Sequence, residues 1–367
     1  MKITLVAGAR PNFIKIAPII KAIEKKQNEG AAISFRLVHT GQHYDKNLSD
    51  TFFEELKIPH PNANLEVKSG SQAQQTAAIM IAFEQELLEN VCDMVLVVGD
   101  VNSTMACALV AKKMNIKVTH VEAGIRSGDM TMPEEINRIV TDSISDYFFT
   151  TSTWAGENLK KYGAEPSTIH FVGNVMIDTL YQNLDRILAP SFWNKFNLVT
   201  GNYIILTLHR PANVDEEKSL IDLLKGIDTM VGTKKIIFPI HPRTKAILGE
   251  TNIELKNILF VEPQGYLNFM YLIKNSFAVI TDSGGISEET TVLGIPCFTM
   301  RNNTERPETQ TIGTNTLVGT SVKNLEKIFE EFLVNGPRKA GIPELWDGKA
   351  SERIIDILLT NYRQKLK

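Results

Sequence analysis

The sequence predicts an α/β fold built from two doubly wound domains, each a parallel sheet covered by helices on both faces. Two observations carry that expectation. Short β-branched runs alternate with stretches of helical period along most of the chain, the pattern of strands joined by crossover helices. The alternation also breaks near the middle and begins again, and 367 residues are too many for one simple core.

The first unit opens with a strand at Ile3–Ala7, the loop GARPN and an amphipathic helix from Phe13 to Lys26. Strands follow at Phe35–Thr40, Met94–Val98, Lys117–Val121, Tyr147–Thr151 and Ile169–Val172. Helices are predicted between most of them, at Gln72–Glu89, Thr104–Met114, Glu134–Ser145 and Trp154–Tyr162. A further helix at Val175–Leu188 and the loop-like APSFWNKFNLVTGN mark the break. The second unit then brings strands at Tyr203–Leu208, Lys235–Ile240, Ile258–Val261, Ala278–Thr281 and Pro296–Thr299. Its helices are read at Ser219–Met230, Leu267–Lys274 and Ile286–Leu293. The domains are therefore placed at 1–174 and 175–350.

Composition narrows the class. Apolar residues make up 43% and charged residues 22%, which excludes a disordered or fibrous chain. A net charge of −3 leaves no basic footprint for nucleic acid. No run reaches the length of a membrane span, and MKITLVAGARP lacks the long apolar core of a signal peptide. Cys92, Cys107 and Cys297 are odd in number and each lies in an apolar run, so they read as reduced thiols of a cytoplasmic protein.

In doubly wound sheets ligands gather beyond the carboxyl ends of the strands. The chemistry is therefore expected in the strand-end loops, with two sheets facing across a polar cleft. GARPNFIK carries Arg10 and Lys15 near a helix start, where cations oppose the helix dipole and an anionic ligand would relieve them. It has a single glycine, so neither a dinucleotide fingerprint nor a P-loop is present. TDSGGISEE ends a strand at Asp282, and Ser283, Gly284 and Gly285 then open a helix whose amides can approach a phosphate. The plain structural alternative is a tight turn capped by Asp282 or Ser283. Three acids, Asp100, Glu122 and Glu134, fall at neighbouring strand ends, where crowding shifts carboxyl groups toward proton transfer. Each also has a structural reading: Asp100 can cap the next helix, and Glu135 can pair with Arg138. His209 and His241 end successive strands of the second unit. No HExxH, CxxC or DxD spacing calls for a metal.

Together the segments GARPNFIKIAPI, HTGQHYD, VVGDVNST, HVEAGIRSGD, MPEEINR, VGNVMIDTL, PQGYLNF, TDSGGISEE and MRNNTERPE resemble the non-hydrolysing UDP-N-acetylglucosamine 2-epimerase family over nearly the whole chain. The resemblance implies a GT-B architecture of two Rossmann-like domains, with a last helix near 351–367 crossing back to the first. It implies a UDP-sugar partner, no cofactor and a homodimer. It also assigns catalytic positions to Asp100, Glu122, Glu134 and His209. Substrate-binding positions fall on Arg10, Lys15, Gln264, Phe269, Ser283, Gly284, Gly285, Glu289 and Arg306. Two segments depart from the family pattern: Gln42-His43-Tyr44-Asp45-Lys46 replaces a glutamine-rich stretch, and His209-Arg210-Pro211-Ala212-Asn213 lacks a glutamate beside the histidine. A 2-epimerase of UDP-diacetamido-uronic acid, a hydrolysing epimerase, a GT-B glycosyltransferase and a non-enzymatic UDP-sugar sensor remain as alternatives.

Overall fold

The β-branched runs form two all-parallel sheets in the computed structural model, one in each of two compact units, residues 1–183 with 344–367 and residues 184–343. The model describes residues 1–41, 52–214, 216–240, 242–248 and 254–365, with backbone alone at Arg10, Pro211, Ala212, Pro242, Arg243 and Lys365. The departure at 42–46, the end of HTGQHYD, His241 and the Arg10 side chain therefore lie outside the described residues.

The first unit runs β1 (Lys2–Ala7), α1 (Arg10–Asn28), β2 (Ser34–His39), β3 (Ala63–Asn64), α2 (Gln72–Glu89), β4 (Met94–Val98), α3 (Asn102–Lys113), β5 (Lys117–Val121), α4 (Pro133–Ile144), β6 (Tyr147–Thr150), α5 (Thr153–Lys161), β7 (Ile169–Phe171) and α6 (Val175–Asn183). Its strand order is β3-β2-β1-β4-β5-β6-β7. The central strands are buried on both faces: every residue of β4, MVLVV, is in the core. Local signals start the helices. Ser71 and Gln74 close a reciprocal capping box on α2, and Pro133 opens α4 with its ring already set for a helix.

The second unit runs β8 (Tyr203–Thr207), α7 (Pro211–Val214), α8 (Glu217–Met230), β9 (Lys235–Pro239), α9 (Pro242–Leu248), β10 (Ile258–Val261), α10 (Tyr266–Lys274), β11 (Ala278–Thr281), α11 (Gly284–Leu293), β12 (Cys297–Thr299), α12 (Pro307–Thr311), β13 (Asn315–Leu317) and α13 (Val322–Asn335). Its order, β10-β9-β8-β11-β12-β13, is that of a dinucleotide-type doubly wound sheet. Leu224, Ile227, Ile236, Phe238, Ile280, Phe298 and Phe329 lie in one core cluster.

The chain then returns to the first unit as α14 (Ala350–Lys365). The division falls at 183/184 and 343/344, so α6, assigned to the second domain by sequence, packs in the first. The cause is the apolar face of α6, with Thr179 donating its hydroxyl to the Ile14 carbonyl of α1. The returning segment is stitched down by Trp346, whose indole Nε1 donates to the Thr151 carbonyl at 2.9 Å. Gly173, at φ +92°, lies so close to it that a Cβ would stand 2.0 Å from the Leu345 carbonyl oxygen. Two short strands, β3 and β13, and helices α7, α9, α12 and α13 escaped the sequence reading; β3 and β13 span two and three residues, too few to show a period.

Candidate active site

Each sheet has one point where the strand order reverses, between β1 and β4 in the first unit and between β8 and β11 in the second. Strands on either side send their following helices to opposite faces, so the loops part and leave a crevice. The charged loops singled out above stand at these two points.

At the first, Asn12 ties two loops together. Its Oδ1 accepts from the Gly8 and Ala9 amides at 3.0 and 2.9 Å, and its Nδ2 donates to the Val98 carbonyl at the end of β4. Lys15, one turn further along α1, places its ammonium 2.5 Å from Glu122. Both side chains are buried. Glu122 itself has φ +72°, a left-handed backbone uncommon for a residue with a side chain and a strained geometry that clusters at functional sites. Between β4 and α3, Gly99 takes φ +68°, and a Cβ there would meet the Lys15 ammonium at 2.9 Å. Asp100 follows, paired at 2.5 Å with Arg138, which also holds Glu135 at 2.8 Å. Asn137 donates to the Asp100 carbonyl. The Lys15–Glu122 pair and the Asp100–Arg138–Glu135 cluster thus stand on either side of Gly99.

Asp100 does not cap α3, whose N-cap is Val101 without a side-chain hydrogen bond; the carboxylate is turned to Arg138. The Glu135–Arg138 pair forms as the i,i+3 spacing predicts. Buried Glu135 accepts from the Ser127 and Gly128 amides, and these bonds with Arg138 hold its carboxyl below the usual range despite the opposing cost of burial. Its neighbour Glu134 stands exposed in the first turn of α4. The structure therefore sets Asp100 and Glu122 at one reversal point, each paired with a buried cation, and leaves Glu134 exposed on α4.

At the second reversal point Asp282 is fully buried at the end of β11. Its carboxylate accepts from the His209 and Arg210 amides and from Asn213 Nδ2, and lies 2.8 Å from His209 Nδ1. Against the cost of burial, the hydrogen bond and charge of His209, with Asn213 and the Arg210 amide, hold the Asp282 carboxyl below its ordinary range. An ionised Asp282 accepts from His209 Nδ1–H and so orients the ring, with Nε2 turned away from it. Of the two candidate caps, the N-cap position falls to Ser283, and the Asp282 carboxylate is given to His209 instead.

The first residues of α11 consequently have no side-chain cap: Ser283 is the N-cap but makes no such bond. Gly284 and Gly285 are half-buried, and their amides belong to the open N-terminus of a ten-residue helix. A Cβ added at Gly284 would stand 2.8 Å from Glu305 Oε1 and 3.1 Å from Arg306 Nη1, so those two buried side chains would have to shift. Arg306 is buried and engaged by two carboxylates, Glu288 at 2.5 Å and Glu305 at 2.9 Å. Arg301, absent from the sequence reading, pairs with Glu305 at 2.7 Å. Gln264 precedes α10 and donates to the Glu262 carbonyl, and Phe269 is half-buried on α10.

Glu289 lies under the second turn of α11. Burial pushes its carboxyl up to about 8; Glu288 adds to the shift, and a hydrogen bond with Tyr266 opposes it. Between 4.5 and about 8 the folded chain thus holds a proton that the unfolded chain has lost, so this group's stabilisation is complete below 4.5 and declines as pH rises to about 8. The melting temperature of the wild type should accordingly fall across that window relative to Glu289→Gln, whose profile lacks this slope. Parallel profiles would show that Glu289 is ionised in the folded protein.

Among the described residues no group of three or more His, Cys, Asp or Glu side chains is arranged to hold a metal ion, and no helix is long and apolar enough to cross a membrane. The three cysteines are free thiols; Cys107 and Cys297 are buried and Cys92 half-buried.

Two doubly wound units, with a carboxylate network at one reversal point and a histidine beside an uncapped glycine turn at the other, define an α/β enzyme of the GT-B class. The family model described as UDP-N-acetylglucosamine 2-epimerase matches residues 25–359, and the chain belongs to that family. The UDP-N-acetylglucosamine 2-epimerase of Methanocaldococcus jannaschii is 43% identical over 98% of this chain and 99% of its own. A crystal structure from that organism, in complex with UDP-GlcNAc and UDP, superposes with a TM-score of 0.88 at 44% identity, covering 98% of this chain and 99% of the other. The UDP-2,3-diacetamido-2,3-dideoxy-D-glucuronate 2-epimerase of Pseudomonas aeruginosa is 39% identical over 88% of this chain and 89% of its own.

Proposed function

We propose that this enzyme inverts C2 of UDP-N-acetylglucosamine by eliminating UDP and adding it back, giving UDP-N-acetylmannosamine. The observation that carries the mechanism is the placement of Asp100 and Glu122, each paired with a buried cation, at one strand-reversal point. The C2 hydrogen of an N-acetylhexosamine is not acidic, so a base cannot remove it unaided. Breaking the C1–O bond to UDP develops positive charge at C1. The C2 proton then passes to a carboxylate, and its bonding pair forms the C1=C2 bond of 2-acetamidoglucal. Re-addition of UDP at C1, with a proton delivered to the opposite face of C2, completes the inversion.

Asp100, Glu122 and Glu134 supply the proton-transfer groups in this reading. The Ser283–Gly285 amides, Lys15, Arg10 and Arg306 stabilise the departing diphosphate, an electrostatic task for prearranged donors. His209, oriented by Asp282, assists at the diphosphate. Glu289, Gln264 and Phe269 complete the nucleotide site. The free thiols and the nucleotide-sugar substrate favour the cytoplasm, and the family resemblance favours a homodimer.

The test is proton NMR of the purified enzyme with UDP-N-acetylglucosamine in deuterated buffer. Deuterium should enter C2 as UDP-manno signals grow, with UDP still attached. Release of free N-acetylmannosamine would replace this reading by hydrolysis, and absence of exchange would refute it for this sugar. The relative from Pseudomonas aeruginosa favours a second reading, in which the sugar is a diacetamido-uronic acid. The same experiment with that substrate decides between the two.

A further inference from the structure

His120 is wholly buried on β5, two residues before Glu122, and nothing in the mechanism above uses it. Its Nδ1 lies 2.7 Å from Asp142 Oδ1, and its Nε2 lies 2.8 Å from the Gly99 carbonyl oxygen. A carbonyl oxygen only accepts, so Nε2 carries a hydrogen. Asp142 is itself ionised: it pairs with Arg126 at 2.6 Å and accepts from the Gly124 amide at 3.1 Å. Although burial opposes it, the charges of His120 and Arg126 hold the Asp142 carboxyl below its ordinary range.

We propose that His120 is a positioning residue whose Nε2–H grips the Gly99 carbonyl and thereby sets the peptide that leads into Asp100, beside the Lys15–Glu122 pair, for the reaction. The grip is two-sided, since the Gly99 amide donates to the Val121 carbonyl of the same strand at 3.1 Å. Both polar groups of Gly99 are thus bound to β5. The pinned carbonyl belongs to the peptide that leads into Asp100. Gly99 in turn leaves room for the Lys15 ammonium that holds Glu122, which an added Cβ would meet at 2.9 Å. Behind Asp142 the Arg126 guanidinium lies 4.9 Å over the Tyr162 ring, which shields that cation on the far side. The charged groups facing the ring are therefore Asp142 directly, Arg126 behind it, and the Lys15–Glu122 pair across Gly99.

The inference rests on the epimerase reading for its consequence but not for its hydrogen bond, so two measurements separate them. Nitrogen NMR of histidine-labelled enzyme at neutral pH, with the His120 signals assigned by their loss in His120→Gln, should show a hydrogen on Nε2. An Nε2 without a hydrogen overturns the proposal whether or not the enzyme epimerises. Kinetics of two variants test the positioning. Gln places an amide nitrogen where Nε2 was and keeps the Gly99 bond; Asn places one where Nδ1 was and keeps only the Asp142 bond. His120→Gln should retain kcat within about threefold. His120→Asn should lose about 30- to 100-fold in kcat with KM nearly unchanged, the cost of a misplaced group of about 1 Å. Equal kcat values in the two folded variants, or a loss confined to melting temperature, would leave His120 a packing residue.

Discussion

Glu122→Gln should lose epimerisation and C2 exchange by about 10²- to 10⁴-fold, the range expected when a group that transfers a proton is removed. The variant should also be less stable, because the Lys15 ammonium, 8% exposed, loses the carboxylate 2.5 Å away. Removing one partner of a buried pair costs about 3–5 kcal/mol, since the remaining charge is left without compensation. The two losses are separable. A Lys15→Met, Glu122→Gln double variant removes both charges and should regain much of the stability while staying inactive. Activity within threefold of wild type in Glu122→Gln would remove Glu122 from the reaction. Activity that returned with stability in the double variant would show that the first loss was only a folding defect.

Asp178→Ala should unfasten the carboxyl-terminal helix. The Asp178 side chain is fully buried on α6 and accepts from the Ala350 and Ser351 amides at 3.0 and 2.7 Å and from the Ser351 hydroxyl at 2.6 Å. These donors open α14, so one carboxylate satisfies orphaned amides of its first turn from outside the helix. Burial raises the Asp178 carboxyl above its ordinary value, and the bonds from Ser351 and Ala350 oppose that shift. Losing the acceptor strands three buried donors, for about 3–5 kcal/mol in all. A domain of this size should then melt about 6–20 °C lower. Limited proteolysis should cut near 344–349 before the rest of the unit opens. An unchanged melting temperature and cleavage pattern would mean that α14 is held by its apolar face alone. Asp178 lies in VGNVMIDTL, where the sequence offered no sign of a partner 172 residues away.

Much of this architecture was legible in the chain. The strands of both sheet centres were found because each is a short apolar run ended by glycine or a polar residue, a local signal. The loops that matter were found for the same reason, since charged residues beside glycines at strand ends stand out against the core. Asn12 was passed over because an asparagine in GARPN reads as ordinary turn chemistry; its two accepted bonds are local, but its hold on Val98 spans 86 residues. His120 alternates with core residues on a strand and reads as packing. Asp142 and Arg138 read as the polar face of an amphipathic helix. Only the fold shows that these polar side chains are buried and turned toward a reversal point.

The charges illustrate the difference most plainly. Sequence alone determined that there are two doubly wound units, which loops end their strands, and which acids, cations and glycines those loops carry, because strand length, helical period and turn chemistry are properties of neighbouring residues. The pairing of those charges was decided only by the tertiary structure. Lys15 and Arg306 were expected as cations for an anionic substrate, yet Lys15 is held by Glu122 and Arg306 by Glu288 and Glu305. Asp282 was read as one of two possible helix caps, and the fold gives its carboxylate to His209 instead. Each outcome depends on strand order, which sets β1 beside β4 and β8 beside β11 and so brings together loops that the sequence keeps tens of residues apart. Once buried together, opposite charges must neutralise one another or remain desolvated at large cost, and that choice of partners is made by the fold.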